Sequence, residues 1–92
     1  MKLYLEGSQT IIQDDTKELK LEYYLVEEKR SGWEDSAYGI KIIQHEDFNI
    51  KSEYSEPISY CKDIVEKILK ILWVNTVTPT SMLEIVDDLV SQ

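Results

Sequence analysis

The chain of 92 residues has few of the side chains on which common structural and catalytic sites depend. It contains one cysteine and one histidine, so it cannot form an internal disulfide, and a structural zinc site with four Cys or His ligands is excluded. A single cysteine is typical of proteins from a reducing compartment. The three glycines are scattered and form no phosphate-binding loop. We therefore expect no metal ion and no cofactor.

Long hydrophobic runs are also absent. The longest apolar stretch, ILKILWV, is interrupted by Lys70 and is too short to span a bilayer. The N-terminal segment lacks the apolar run of a signal peptide after Lys2. These observations predict a soluble cytoplasmic protein that does not bind a membrane.

Basic residues are scarce, with 10 Lys and Arg against 18 Asp and Glu, and the formal net charge is -8. Residues 1–56 carry 13 acidic and 7 basic side chains, and residues 57–92 carry 5 and 3. A negative field repels phosphate backbones, so the composition predicts no nucleic-acid partner. A local basic patch at Lys29–Arg30 or Lys67–Lys70 is the arrangement that would favour one.

Alternating hydrophobicity predicts strands in the first part of the chain. The segment ELKLEYYLVEEK, from Glu18 to Lys29, has period two and places four apolar side chains on one face: Leu19, Leu21, Tyr23 and Leu25. YGIKIIQ and FNIKSEY alternate in the same way, and the polar HED between them predicts a hairpin turn. Gly39 within YGIKIIQ indicates a bulge or a close neighbouring backbone. In residues 1–18, KLYLE and TIIQ each suit a short strand, with a turn at Gly7–Ser8 and a polar break at DDTKE.

At Pro57 the hydrophobic period changes from two to three or four, which is typical of helices. From Ser59 the pattern predicts a helix that ends near Val74–Asn75, with an apolar stripe of Cys61, Ile64, Val65, Ile68, Ile71 and Leu72. A second helix begins either after a Thr78 cap with Pro79 in the first turn, or after a capping box at Ser81 and Glu84. Thr78 is the better start because it explains the proline.

The order of strands followed by helices predicts an α+β fold. We expect an antiparallel β-meander of three to four strands, covered on one face by two C-terminal helices. The whole chain, residues 1–92, is expected to form a single domain. Within it, residues 1–18 form a strand or turn, residues 19–56 form β-hairpins and residues 57–92 form the helices.

Side chains with reactive chemistry are few and far apart. His45-Glu46-Asp47 is interpreted as a hairpin tip rather than a metal site, because neighbouring residues in a strand point to opposite sides. Cys61 falls on the apolar stripe, where burial makes a thiol inert, although a place in the first helical turn would activate it. The paired carboxylates of the chain are interpreted as surface acids. No catalytic residue is predicted.

Three segments, YYLVEE, YGIKII and NTVTPTSMLEIVDDLV, resemble a family of small uncharacterised proteins from low-GC Gram-positive bacteria. The resemblance covers about residues 21–91. The family is a domain of unknown function, so the resemblance implies an intact fold in the bacterial cytoplasm and adds no catalytic residue. Many members carry a polar or histidine-like residue after V-T-P, where this chain has Thr80 and Ser81.

We interpret the chain as a small, non-catalytic, acidic interaction or regulatory protein. Its contacts are predicted on the wet sheet face around Tyr24, Val26 and Ile43, or on an unpaired edge strand that favours a protein partner or a homodimer. Trp33 either provides a further contact or folds back over the sheet edge. The alternative is a small enzyme or ligand-binding module with a pocket between sheet and helices, and with Cys61, Tyr60 or His45 at its mouth.

Overall fold

Four strands and two helices follow one another along the chain in the computed structural model, which describes residues 1–14 and 17–91. The elements are β1 Lys2–Asp14, β2 Lys17–Glu28, β3 Ala37–Glu46, β4 Asn49–Tyr54, α1 Lys62–Val74 and α2 Pro79–Val90. The strands form one antiparallel sheet in the order β1-β2-β3-β4, and both helices pack against it. The predicted α+β meander with two C-terminal helices is therefore confirmed, with four strands.

The core lies between the helices and the face of the sheet that they cover, here called the inner face. Its sheet side is formed by Leu19, Leu21, Tyr23, Leu25, Ile40 and Ile42, and its helix side by Val65, Leu69, Leu72, Met82 and Val86. The predicted apolar face of β2 is thus confirmed, because alternate residues of this strand point toward the helices. The Tyr23 hydroxyl donates a hydrogen bond of 2.9 Å to the Val77 carbonyl, which ties the connection between the helices to β2.

β1 is one continuous strand of 13 residues, so the predicted turn at Gly7–Ser8 is wrong. The register with β2 shifts between Leu5 and Gly7, as in a β-bulge. The Trp73 indole of α1 lies where a Cβ on Gly7 would be, and its Nε1 donates to the Ser8 carbonyl at 3.2 Å. Gly7 therefore marks a close helix–strand contact rather than a turn. The predicted polar break at DDTKE falls partly on residues 15 and 16, which lie outside the described residues.

The β3–β4 turn consists of Asp47 and Phe48, and Asp47 adopts a positive φ of 48°. His45 is therefore a residue of β3 rather than of the turn, which corrects the predicted HED connection. The chain after β4 continues beside β3, since the Tyr38 amide donates to the Ser59 carbonyl at 2.8 Å. This extended segment delays the first helix.

α1 begins at Lys62 with Cys61 at its N-cap, three residues after the predicted start at Ser59. Its buried residues are Val65, Leu69 and Leu72, whereas Cys61, Ile64 and Ile71 are exposed. The prediction that Cys61 belongs to the apolar stripe is therefore wrong, because the stripe that faces the sheet begins at Val65. α2 begins at Pro79 after Thr78, as predicted, although the Thr78 side chain makes no cap hydrogen bond.

Candidate contact surface

The outer face of the sheet, opposite the helices, carries apolar side chains from several strands. Leu5, Tyr24, Lys41 and Tyr54 lie side by side across β1, β2, β3 and β4. Leu5 is 56% exposed and Tyr54 is 45% exposed. Leu3, two residues before Leu5, is also exposed. This face therefore exposes to solvent a row of apolar groups that is interrupted by Lys41.

The structure places three of the four predicted contact residues on this outer face. Tyr24 and Ile43 are half-buried there, so each still presents part of its side chain. Val26 lies between Leu3 and Gly39 in the register but is only 3% exposed, and it is not part of the inner core. Val26 can therefore contribute little contact area. Leu3 and Leu5 are contact candidates that the sequence interpretation missed, because the pairing that places Leu5 beside Tyr24 cannot be obtained from one strand alone.

Polar groups of the outer face are arranged as ordinary cross-strand pairs. His45 Nε2 lies 2.5 Å from Glu22 Oε1 on the neighbouring strand. Partial burial, followed by the nearby Glu22 carboxylate, raises the pKa of the Tyr24 phenol. Both effects disfavour the phenolate, so Tyr24 presents a neutral ring and hydroxyl to a partner.

Trp33 lies in the β2–β3 connection and folds against the segment that precedes α1. Its ring meets the Tyr60 ring edge-on, with centroids 6.0 Å apart, and the Arg30 guanidinium lies 5.0 Å from its centroid. Arg30 also donates to Glu28 and, at 2.9 Å, to Glu56. Trp33, Tyr60, Arg30 and Glu56 border an open surface cleft of about 340 Å³. Trp33 is thus half-buried by local contacts and retains an edge that a partner can reach.

The residues named for the enzyme alternative do not come together. Cys61 is exposed and lies close to the start of β3, where Ser59 pairs with Tyr38. His45 lies seven residues further along β3, which is about 23 Å at ~3.3 Å per residue. The space between sheet and helices is filled by fully buried side chains such as Tyr23, Leu69 and Met82. Cys61 and His45 therefore form no dyad at a pocket mouth.

Among residues 1–14 and 17–91, no group of three side chains that could hold a metal ion is found. The Tyr4 hydroxyl donates to Glu27 at 2.8 Å, and this hydrogen bond is the main reason that the pKa of Glu27 is lowered. The same contact raises the pKa of Tyr4. A carboxylate held in its ionised form suits a structural role on the surface.

None of the described helices is long and apolar enough to cross a membrane. No curated protein and no solved structure shows significant similarity to the chain. A family of unknown function, DUF6514, matches residues 2–92, and the match therefore includes β1 as well as the segments that carry the resemblance. The chain, from the first strand to the second helix, belongs to the DUF6514 family of unknown function.

Proposed function

We propose that the chain is a small, non-catalytic, acidic interaction or regulatory protein of the bacterial cytoplasm. It binds a protein partner through the outer face of the sheet. The observation that carries this proposal is the apolar surface of the outer face, where Leu3, Leu5 and Tyr54 are exposed and Tyr24 is half-buried. An antiparallel sheet with one wet face normally alternates apolar and polar residues, so apolar groups on the wet face indicate a contact surface.

The charge and the resemblance support the remaining parts of the proposal. A net charge of -8 favours a protein over a nucleic acid as the partner, because it repels phosphates. The resemblance to proteins of low-GC Gram-positive bacteria supports a bacterial origin. The single cysteine, which is exposed and unpaired, suits the reducing cytoplasm.

Site-specific photo-crosslinking in cells of the source organism tests the proposal. A photoreactive amino acid replaces Leu5 on the outer face or, as a control, Lys67 on the exposed side of α1. We expect a discrete crosslinked product from position 5 that is absent from position 67. The partner identified by mass spectrometry should then bind the purified chain.

Substitution at the same face gives the quantitative test. Leu5→Glu should weaken binding of that partner by at least about tenfold, since a charged group would replace an apolar contact and would have to be desolvated on binding. The matched change Ser8→Glu, at an exposed outer-face position that is already polar, should have a smaller effect. Equal binding by Leu5→Glu and the original chain, with both folded by circular dichroism, would reject this surface.

The enzyme alternative is not favoured by an observation of its own. Its three named residues are exposed or half-exposed and lie on different parts of the surface: Tyr60, Cys61 and His45. The interior that would have to hold a pocket is filled by core side chains.

A further inference from the structure

β4 is an edge strand of the sheet, and its outer edge carries unpaired backbone groups. Ser55, just after β4, donates its amide to the Ile40 carbonyl of β3 at 2.8 Å, so this pair is hydrogen-bonded. Because hydrogen-bonded pairs alternate along antiparallel strands, the N–H and C=O groups of Ile50, Ser52 and Tyr54 point away from β3. In agreement, the Tyr54 amide donates to the neighbouring Glu53 carboxylate at 3.2 Å instead of to a strand.

From this edge we infer that a second copy of the chain pairs β4 with β4 in antiparallel register about Ser52, which joins two sheets into one. The inference goes beyond the proposed function, because it concerns the β4 edge rather than the outer face. A two-fold pairing of this kind is closed, because the β4 edge of each copy is occupied by the other. Association through this edge therefore ends at the dimer.

The side chains of β4 are self-complementary in this register. Lys51 falls opposite Glu53 of the second copy, and Glu53 falls opposite its Lys51, so two opposite-charge pairs form. Ile50, 69% exposed, falls opposite Tyr54, 45% exposed, on the outer face. Moving the two-fold axis to Ile50 or to Tyr54, whose backbone groups also point outward, would place Lys51 opposite Asn49 or Glu53 opposite Ser55, and the opposite-charge pairs would be lost. The charge pattern therefore selects Ser52 as the centre.

Phe48 supplies a second, independent observation. Its side chain, at the tip of the β3–β4 turn, is fully exposed at 102%, which is unusual for a phenylalanine. The same register places Phe48 opposite Glu56 of the second copy. There, the segment Ser55–Ile58 and α2 border an open groove of about 390 Å³, with Ile58, Leu83 and Val90 among its apolar lining. The pairing thus places an exposed aromatic residue and an exposed apolar groove at the same end of the interface, twice per dimer.

Sedimentation velocity of the purified full chain, from micromolar to millimolar concentration, tests the inference. We expect the mass to rise from 10.8 kDa toward twice that value. Lys51→Glu should weaken dimerisation by at least about tenfold, because it turns both charge pairs into repulsive ones. Phe48→Ser should also weaken dimerisation by about tenfold or more, since it removes a large apolar ring from each end of the interface.

The charge swap Lys51→Glu with Glu53→Lys is the decisive control. It restores both opposite-charge pairs in the Ser52 register and keeps the net charge of the original chain, so dimerisation should recover. Lys70→Glu makes the same charge change as Lys51→Glu on the exposed side of α1 and should leave dimerisation nearly unchanged. Amide hydrogen exchange should show that Ser52 becomes protected in concentrated samples.

A chain that stays monomeric at millimolar concentration would overturn the inference. A charge swap that dimerises as weakly as Lys51→Glu alone would also overturn it. The purified chain is measured without a partner, so a monomer that still gives the Leu5 crosslink contradicts only the dimer. A dimer without that crosslink contradicts only the proposed function.

Discussion

At the scale of single residues, two aromatic side chains hold the helical layer on the sheet. Tyr23 of β2 reaches through the core to the Val77 carbonyl between the helices. Trp73 of α1 lies on Gly7 of β1 and donates to the Ser8 carbonyl. The two contacts fix the helical layer at two separate places.

Substituting Gly7 with alanine should destabilise the fold by about 1–3 kcal/mol, because the added methyl group overlaps the Trp73 indole and forces it to move. Urea unfolding measures the change. In a Trp73→Ala background the same substitution should cost much less, since the overlapping ring is gone. Equal costs in both backgrounds would show that Trp73 is not the reason for the glycine.

The pKa of Tyr23 is raised by burial from 10.0 to about 12. The folded state therefore holds the phenol proton more tightly than the unfolded state, so this contribution to stability is complete below pH 10 and is lost as the pH rises through about 12. Tyr23→Phe should lower stability at neutral pH by about 1–3 kcal/mol, because the Val77 carbonyl loses its donor.

Between pH 10 and 12 the Tyr23→Phe variant should lose less stability than the original chain, by about 2–3 kcal/mol for a shift of this size. Chemical denaturation at a series of pH values measures this difference. Tyr60→Phe, at an exposed position, should keep the steeper decline of the original chain. Parallel curves for Tyr23→Phe and the original chain would contradict a buried neutral phenol.

At the scale of elements, periodicity predicted β2 and the body of each helix because a single apolar face controls each of them. The period of β1 was harder to read, since a bulge near Gly7 interrupts its alternation. The start of α1 was predicted too early because Ser59 is held beside Tyr38 by backbone hydrogen bonds that no side-chain pattern reveals. For the same reason Cys61 was placed in the core.

Gly39 in β3 was predicted to mark a bulge or a close neighbouring backbone, and the second interpretation is confirmed. A Cβ at this position would lie 3.0 Å from the Ser55 carbonyl oxygen. Ser55 itself is buried, and its Oγ accepts a hydrogen bond of 2.9 Å from the Ile40 amide. Ser55 thus completes the pairing of β3 at the point where β4 ends.

Ser55→Ala should destabilise the fold by about 1–3 kcal/mol, because the buried Ile40 amide loses its acceptor. Thermal or urea unfolding gives the difference. Ser81→Ala, which removes the same hydroxyl from an exposed position in α2, should change stability by less than about 0.5 kcal/mol. A Ser55→Ala variant as stable as Ser81→Ala would mean that water satisfies the Ile40 amide.

At the scale of the whole molecule, the sequence predicted the architecture, whereas the arrangement of side chains on the outer face became visible only in the structure. The change of period near Pro57 separates sheet from helices and so determines the α+β order. The surface depends on cross-strand register, which places Leu5 beside Tyr24 and cannot be obtained from one strand alone. The exposure of a side chain cannot be obtained from one strand either. Val26 and Tyr24 alternate with core residues in the same way, yet Val26 is buried and Tyr24 is only half-buried.

The contact between Gly7 and Trp73 also bears on synthesis by the ribosome. β1 and β2 can pair as a hairpin once Glu28 has left the exit tunnel. Trp73, whose ring lies on Gly7, is translated 66 residues after Gly7. Until then the inner side of the nascent hairpin has no helix over it, and its leucines face the solvent or a chaperone. We expect the N-terminal hairpin to become resistant to protease only on nascent chains long enough to expose α1.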